Sequence, residues 1–144
     1  MSNAAERLIG TWRLERWTIT DGQGEVKYPL GPDAKGLLTY TADGFMFAFL
    51  ATPVRTPFAG NDPLGGSQSE AHAAMASCHG YCGTWAIVGE TVVHTVEMAL
   101  FPNMVGTQQV RFWRFEGERV VLRTPPMTRK GASGIAELVW KRAV

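Results

Sequence analysis

The sequence predicts an all-β domain, a single antiparallel barrel or sandwich of about eight strands with one short helix. Three observations predict it. Between Val92 and Leu100 the chain alternates, with Val92, His94, Val96, Met98 and Leu100 on one face and Val93, Thr95, Glu97 and Ala99 on the other. Clusters of Gly, Pro, Asn and Asp recur at the roughly 8–12-residue spacing of turns between short strands. Helical start and stop signals occur together in one stretch, from Ser67 to Gly80.

In chain order, Arg7 to Ile19 reads as a lead-in and first strand, ended by the turn cluster Asp21-Gly22-Gln23-Gly24. Tyr28 to Pro32 is a loop and Gly36 to Thr41 a second strand. Ala42-Asp43-Gly44 turns the chain into Phe45 to Ala51, with Gly44 at the left-handed position of a bulged hairpin. Thr52 to Gly66 holds three prolines and three glycines, which forbid long regular structure, so a mobile rim is expected there. Ser67 and Glu70 have capping-box spacing; Ala71, Ala74, Met75 and Cys78 share a helical face, and Gly80 is placed to end the helix.

Tyr81 to Ile87 opens another strand and echoes Gly10-Thr11-Trp12; Gly89-Glu90 turns it into the Val92 to Leu100 strand. Phe101 to Gly106 supplies turn chemistry, and Thr107 to Phe115 returns as the partner. Setting Leu100 against Thr107 puts Met98 opposite Gln109, Val96 opposite Arg111 and His94 opposite Trp113, which makes His94 and Arg111 diagonal neighbours. A tight turn on Gly117-Glu118 then sets Trp113 against Leu122 and Phe115 against Val120. Val120 to Thr124, a loop from Pro125 to Gly134, and Ala136 to Arg142 complete the chain.

At 144 residues the chain fits one domain, residues 1–144, with enough apolar content for a core. Fourteen basic residues against thirteen acidic, scattered rather than clustered, argue against a nucleic-acid or anionic-membrane footprint. No apolar run approaches the roughly 20 residues of a membrane span. Met1 to Gly10 lacks the basic and apolar regions of a secretory signal, and the expected compartment is the cytoplasm, with Cys78 and Cys82 reduced.

Gly10-Thr11-Trp12, the succession of hairpins and the closing Trp140-Lys141-Arg142 resemble the lipocalin and fatty-acid-binding superfamily. The resemblance implies an up-and-down barrel in which Trp12 plugs one end and Arg142 packs on it. A narrower resemblance, to the bacterial and fungal lipocalin-like domain family, is carried by Gly10 to Leu14, Pro29-Leu30-Gly31, Gly36 to Gly44, Tyr81 to Thr84, His94 to Glu97 and Pro102 to Arg111. It spans nearly the whole chain and speaks to fold more than to function.

An imidazole and a guanidinium on an apolar inner wall define the candidate site. The sequence reading is a barrel that binds a small, largely apolar molecule bearing a carbonyl or carboxylate near His94 and Arg111. Tyr40, Met46, Tyr81, Val96, Met98, Gln109, Trp113 and Leu122 would line it, and Thr52 to Gly66 with the helix would gate its mouth. A competing reading makes the same pocket a cofactor-independent isomerase, cyclase or lyase, with His94 as general acid or base and Arg111 stabilising an oxyanion. In a third, side chains fill the barrel and the domain is structural.

No cofactor or metal is expected. Cys78 and Cys82, with His72 and His79 nearby, lack zinc-site spacing and a second ligand cluster, and no Gly-x-Ser-x-Gly elbow or phosphate-binding glycine loop is present. Strict alternation puts Glu97 on the face opposite His94, so the two form a dyad only across a bulge. Phe45, Phe47, Phe49 and Phe112 are expected on the outer wall, where an aromatic surface suggests a homodimer.

Overall fold

A computed structural model describes residues 3–129 and 132–144. The elements are α1 (Asn3–Leu8), β1 (Gly10–Asp21), β2 (Val26–Lys27), β3 (Lys35–Tyr40), β4 (Phe45–Ala51), α2 (Gln68–Ala76), β5 (Cys78–Val88), β6 (Thr91–Ala99), a 3-10 turn (Pro102–Met104), β7 (Gln108–Glu116), β8 (Arg119–Arg123), β9 (Met127–Arg129) and β10 (Ala132–Arg142). Eight strands run β1-β3-β4-β5-β6-β7-β8-β10, each antiparallel to the next, and β10 returns to β1 to close the barrel. The short β2 and β9 extend the ladders of β1 and β10. Closure leaves these eight strands no bare edge, so an apolar interior is sealed without exposing a row of unpaired amides.

One end is shut by a stack. Trp12, opposite Arg142 in the ladder, is almost wholly buried. Its indole N–H donates to the Leu8 carbonyl at 2.9 Å, which brings α1 across the end with Leu8 fully buried beneath it. The Arg142 guanidinium lies 4.1 Å from the Trp12 ring centre and donates to the carbonyls of Ile9, at 2.6 Å, and Arg7. Gly10, with φ at +124°, lets the chain pass, for a Cβ there would stand 2.7 Å from the guanidinium. The plug expected from Trp12 and Arg142 is therefore present, and the stretch before β1, expected as a plain lead-in, includes the helix α1.

Gly44 has φ +97° and Gly117 +61°, and the β7–β8 register sets Trp113 against Leu122 and Phe115 against Val120, as the turn residues require. The β6–β7 register differs from expectation. His94 faces Gln109 and Val92 faces Arg111, while Val96 exchanges backbone bonds with Thr107 and Gly106. The 3-10 turn falls within the expected turn, but Leu100 and Thr107 leave the strands, and beyond Val96 β6 pairs with β5 and not with β7. Because the displacement is even, faces are preserved, and Arg111 remains a diagonal neighbour of His94 from the other side.

Beyond Val96 the alternation itself breaks. Gly83 pairs with Val96 but Cys82 pairs with Met98, so Glu97 is an extra residue in a bulge. The bulge presses the β6 backbone onto β5: a Cβ on Gly83 would lie 1.9 Å from the Thr95 carbonyl oxygen. Met98 is consequently 65% exposed and Ala99 packs toward the core opposite Tyr81. The expected inward Met98 is corrected, and Leu100 is exposed with it.

The capping box of α2 forms as its spacing requires, with Ser67 Oγ accepting from Glu70 N–H and Glu70 accepting from Ser67 N–H. The helix ends at Ala76, however, and Cys78 to Gly80 are strand rather than the helix face and stop expected of them. The Ser77 hydroxyl donates to the Ala74 carbonyl at 2.8 Å, and β5 pairs with β4 from Cys78↔Ala51 onward. Sheet pairing outweighs helix continuation there. The preceding rim segment is tethered: Arg55 donates to Ser77 Oγ and the Ala59 N–H to Glu70. Within the loop expected from Pro125 to Gly134, β9 and the start of β10 form a hairpin; Lys130 and Gly131, like Met1 and Ser2, lie outside the described residues.

Candidate functional site

Toward the end of the barrel opposite the Trp12 plug lies a cavity of about 90 Å³, several times the roughly 10–15 Å³ that one water needs. Trp17 and Ile19 of β1, Leu38 of β3, Leu50 of β4, Leu122 of β8, and Leu138 and Trp140 of β10 give it an apolar wall. His79 and Tyr81 of β5, His94 of β6, Arg111 of β7 and Thr124 supply its polar side chains. Among the described residues no aspartate or glutamate lines it.

His94 is buried, with both ring nitrogens engaged. Tyr40 Oη lies 2.6 Å from its Nε2 and Tyr81 Oη 2.6 Å from its Nδ1, so β3, β5 and β6 are tied across the interior by one polar chain. Alternation places all three inward, since Tyr40, Tyr81 and His94 occupy inner positions of their strands. Burial, reinforced by the Arg111 charge, pulls His94 down to about 3, and the imidazole is neutral at physiological pH. Burial raises both tyrosines, Tyr40 furthest.

Arg111 is half-buried and forms no ion pair among the described residues. Its guanidinium donates to the Val110 carbonyl at 2.9 Å and approaches Gln109 Oε1 at 3.5 Å. The cation depresses His79 as well as His94, in each case after burial as the larger cause. A positive charge thus faces a largely apolar cavity with no carboxylate among the described residues to neutralise it.

Of the residues predicted to line a site, Tyr81, His94, Arg111 and Leu122 do border the cavity. Tyr40 stands behind His94. Met46 and Val96 are fully packed in the core away from the cavity surface. Gln109 reaches it only through Arg111, and Trp113 packs against Phe115. Met98 lies outside, on a groove with Phe47, Phe49 and Leu100.

His79, Trp17, Thr124 and Trp140 were not foreseen as lining. A strand reading begun three residues earlier would have shown His79 sharing a face with Tyr81. The four residues weighed as metal ligands do not gather: His79 points inward, Cys78 and Cys82 take the other face of β5, and His72 is on exposed α2. Among the described residues no group of three or more His, Cys, Asp or Glu is placed to hold a metal ion.

This architecture can be set beside known proteins. A family model described as a lipocalin-like domain matches residues 9–143. The chain belongs to the lipocalin-like domain family. Among curated relatives of this lipocalin-like domain, the 4'-hydroxy-3'-methoxypropiophenone carrier protein of Aspergillus oryzae is 27% identical over 106 residues, covering 67% of this chain and 96% of that protein. Among solved structures, a lipocalin-like protein from Bacteroides uniformis aligns over 94% of this chain and 98% of its own, with 9% identity and a TM-score of 0.47.

Proposed function

We propose that this lipocalin-like domain binds a small, largely apolar molecule in the barrel cavity, with a carbonyl or carboxylate oxygen turned toward Arg111. One observation carries the reading: among the described residues Arg111 is a cation without a carboxylate partner, on a wall whose other polar groups are uncharged. A half-buried guanidinium with donors to spare makes its strongest bonds to a charged or carbonyl oxygen, and a ligand oxygen is the partner the cavity lacks. The apolar wall supplies affinity at roughly 25 cal/mol per Å² buried, and Arg111 orients the ligand. A carrier of an aryl ketone among the relatives supports the same ligand class. Turnover by His94 is the weaker reading, because both its nitrogens are held by tyrosines and its basicity is low.

The tethered segment from Thr52 to Gly66 leaves β4 at the cavity end and is the proposed gate. A homodimer through the outer wall belongs to the same proposal. Phe45, Phe47, Phe49 and Phe112 are exposed there, and among the described residues the groove beside Met98 holds no charged side chain, so a second copy can cover it without burying an unpaired charge. The proposed compartment is the cytoplasm, where free Cys78 and Cys82 stay reduced.

Titration with an apolar fluorescent probe, followed by displacement with aryl ketones and aryl carboxylates, tests the binding. The folded protein should take up the probe and release it to the oxygenated competitors. In Arg111→Leu, probe uptake should persist while the advantage of the carboxylate disappears. A folded protein that takes up neither probe nor competitor would sink the proposal and leave a barrel filled by its own side chains.

A further inference from the structure

The Tyr40–His94–Tyr81 chain has three hydroxyl or imidazole protons to place and only two internal bonds to place them in. A neutral imidazole has one N–H donor and one bare nitrogen. One tyrosine must therefore donate to the ring while the other accepts from it, and the accepting tyrosine keeps its own O–H proton for something else. The two choices are not equivalent. Tyr40 is 1% exposed, does not line the cavity, and has no hydrogen-bond partner but His94 Nε2 among the described residues. Were Tyr40 the acceptor, its proton would be stranded in the core, where an unmade hydrogen bond is expensive. Tyr81 borders the cavity, so a proton left on its hydroxyl faces the space a ligand would fill.

Resting on the proposed binding, we infer that Tyr40, without touching the ligand, fixes the cavity's specificity: Tyr40 donates to His94 Nε2, His94 Nδ1–H donates to Tyr81, and the Tyr81 O–H is left for an acceptor oxygen on the ligand. Tyr40 is a positioning residue and Tyr81 a ligand-contacting one. The rest of the wall agrees in sign. The indole N–H groups of Trp17 and Trp140, both on the cavity wall, have no partner among the described residues, and Arg111 adds guanidinium donors. With donors in surplus and no carboxylate on the wall, the site selects ligands that present oxygen acceptors, aryl ketones and carboxylates, against amines and hydrocarbons of the same shape.

Two measurements on the full chain test this. The nitrogen-15 shifts of His94 report which nitrogen carries the proton; Nδ1–H with a bare Nε2 is expected in the wild type, and Nε2–H would overturn the inference whatever binds. Affinities for propiophenone and n-propylbenzene, which share a shape and differ in the carbonyl, read the specificity. The wild type should prefer the ketone roughly tenfold. Tyr81→Phe should erase most of that preference while the hydrocarbon binds as before. Tyr40→Phe, far from the ligand, should weaken the preference at least twofold and leave His94 in a mixture of tautomers. Equal affinities for the two probes in the wild type would refute the specificity while leaving the apolar binding site standing; uptake of neither would remove the site itself.

Discussion

Arg142 and Arg111 stand at opposite ends of the same barrel, and their surroundings divide the molecule into a part that holds it together and a part that is open to a ligand. Arg142 lies over the Trp12 ring and its donors meet the carbonyls of Ile9 and Arg7, in a closed set of contacts that the chain itself completes. Arg111 faces a cavity and, among the described residues, donates to its neighbours Val110 and Gln109 alone. The same side chain is structural where its fork is filled from within and available for recognition where it is not.

Stability should be lost most at the closed end. Trp12→Ala removes a buried indole that supports α1, Arg142 and the ends of β1 and β10, and should cost about 3–5 kcal/mol in urea unfolding. Ligand preference in whatever fraction remains folded should be unchanged, and a loss of stability below about 1 kcal/mol would erase the distinction between the two ends.

Between them sits His94, whose effect should appear with acid. Its folded value is held near 3 against 6.5 for the free side chain. Below pH 6.5 the unfolded chain takes up a proton that the folded one refuses, so stability falls as pH drops from 6.5 toward 3. The slope from this residue is up to about 1.4 kcal/mol per pH unit, and His79, lowered for the same reasons, acts in the same direction. Melting temperatures at pH 7 and pH 5 should separate in the wild type and separate by less in His94→Gln, where His79 alone of the two remains. Equal separation in both proteins would assign the acid sensitivity elsewhere.

The smallest change in stability is expected at Arg111. Arg111→Leu replaces an unpaired charge by an apolar side chain and should shift unfolding by less than about 1 kcal/mol, in either direction. A large destabilisation would mean that Arg111 is a structural residue like Arg142, and the contrast would collapse.

The two ends also differed in how legible they were. The plug could be read because Gly10-Thr11-Trp12 and Trp140-Lys141-Arg142 resemble the lipocalin pattern, which implies that pairing, and the β7–β8 register because Gly117 admits few turns. The cavity depends on side chains from strands far apart in sequence. Inward alternation found Tyr40, Tyr81 and His94 singly, but that both tyrosines meet one imidazole depends on the twist and closure that bring β3 near β6. His79 was hidden by local helical signals that the β4 ladder overrides. Met98 was misassigned because a bulge leaves no mark in a hydrophobic pattern, and Gly83, the residue that permits it, is indistinguishable in sequence from a turn glycine.

That bulge also bears on how such a gene can change. A one-codon insertion in the middle of a strand ordinarily turns every later residue inside out. At Glu97 the extra residue is absorbed: Val96 and Ala99 stay inside and Met98 stays outside, because Gly83 across the ladder has no side chain to obstruct the bent backbone. Removing the codon for Glu97 would therefore leave the inward and outward sets as they are. The strand carries a built-in site for insertion and deletion, and the opposing glycine is the licence for it.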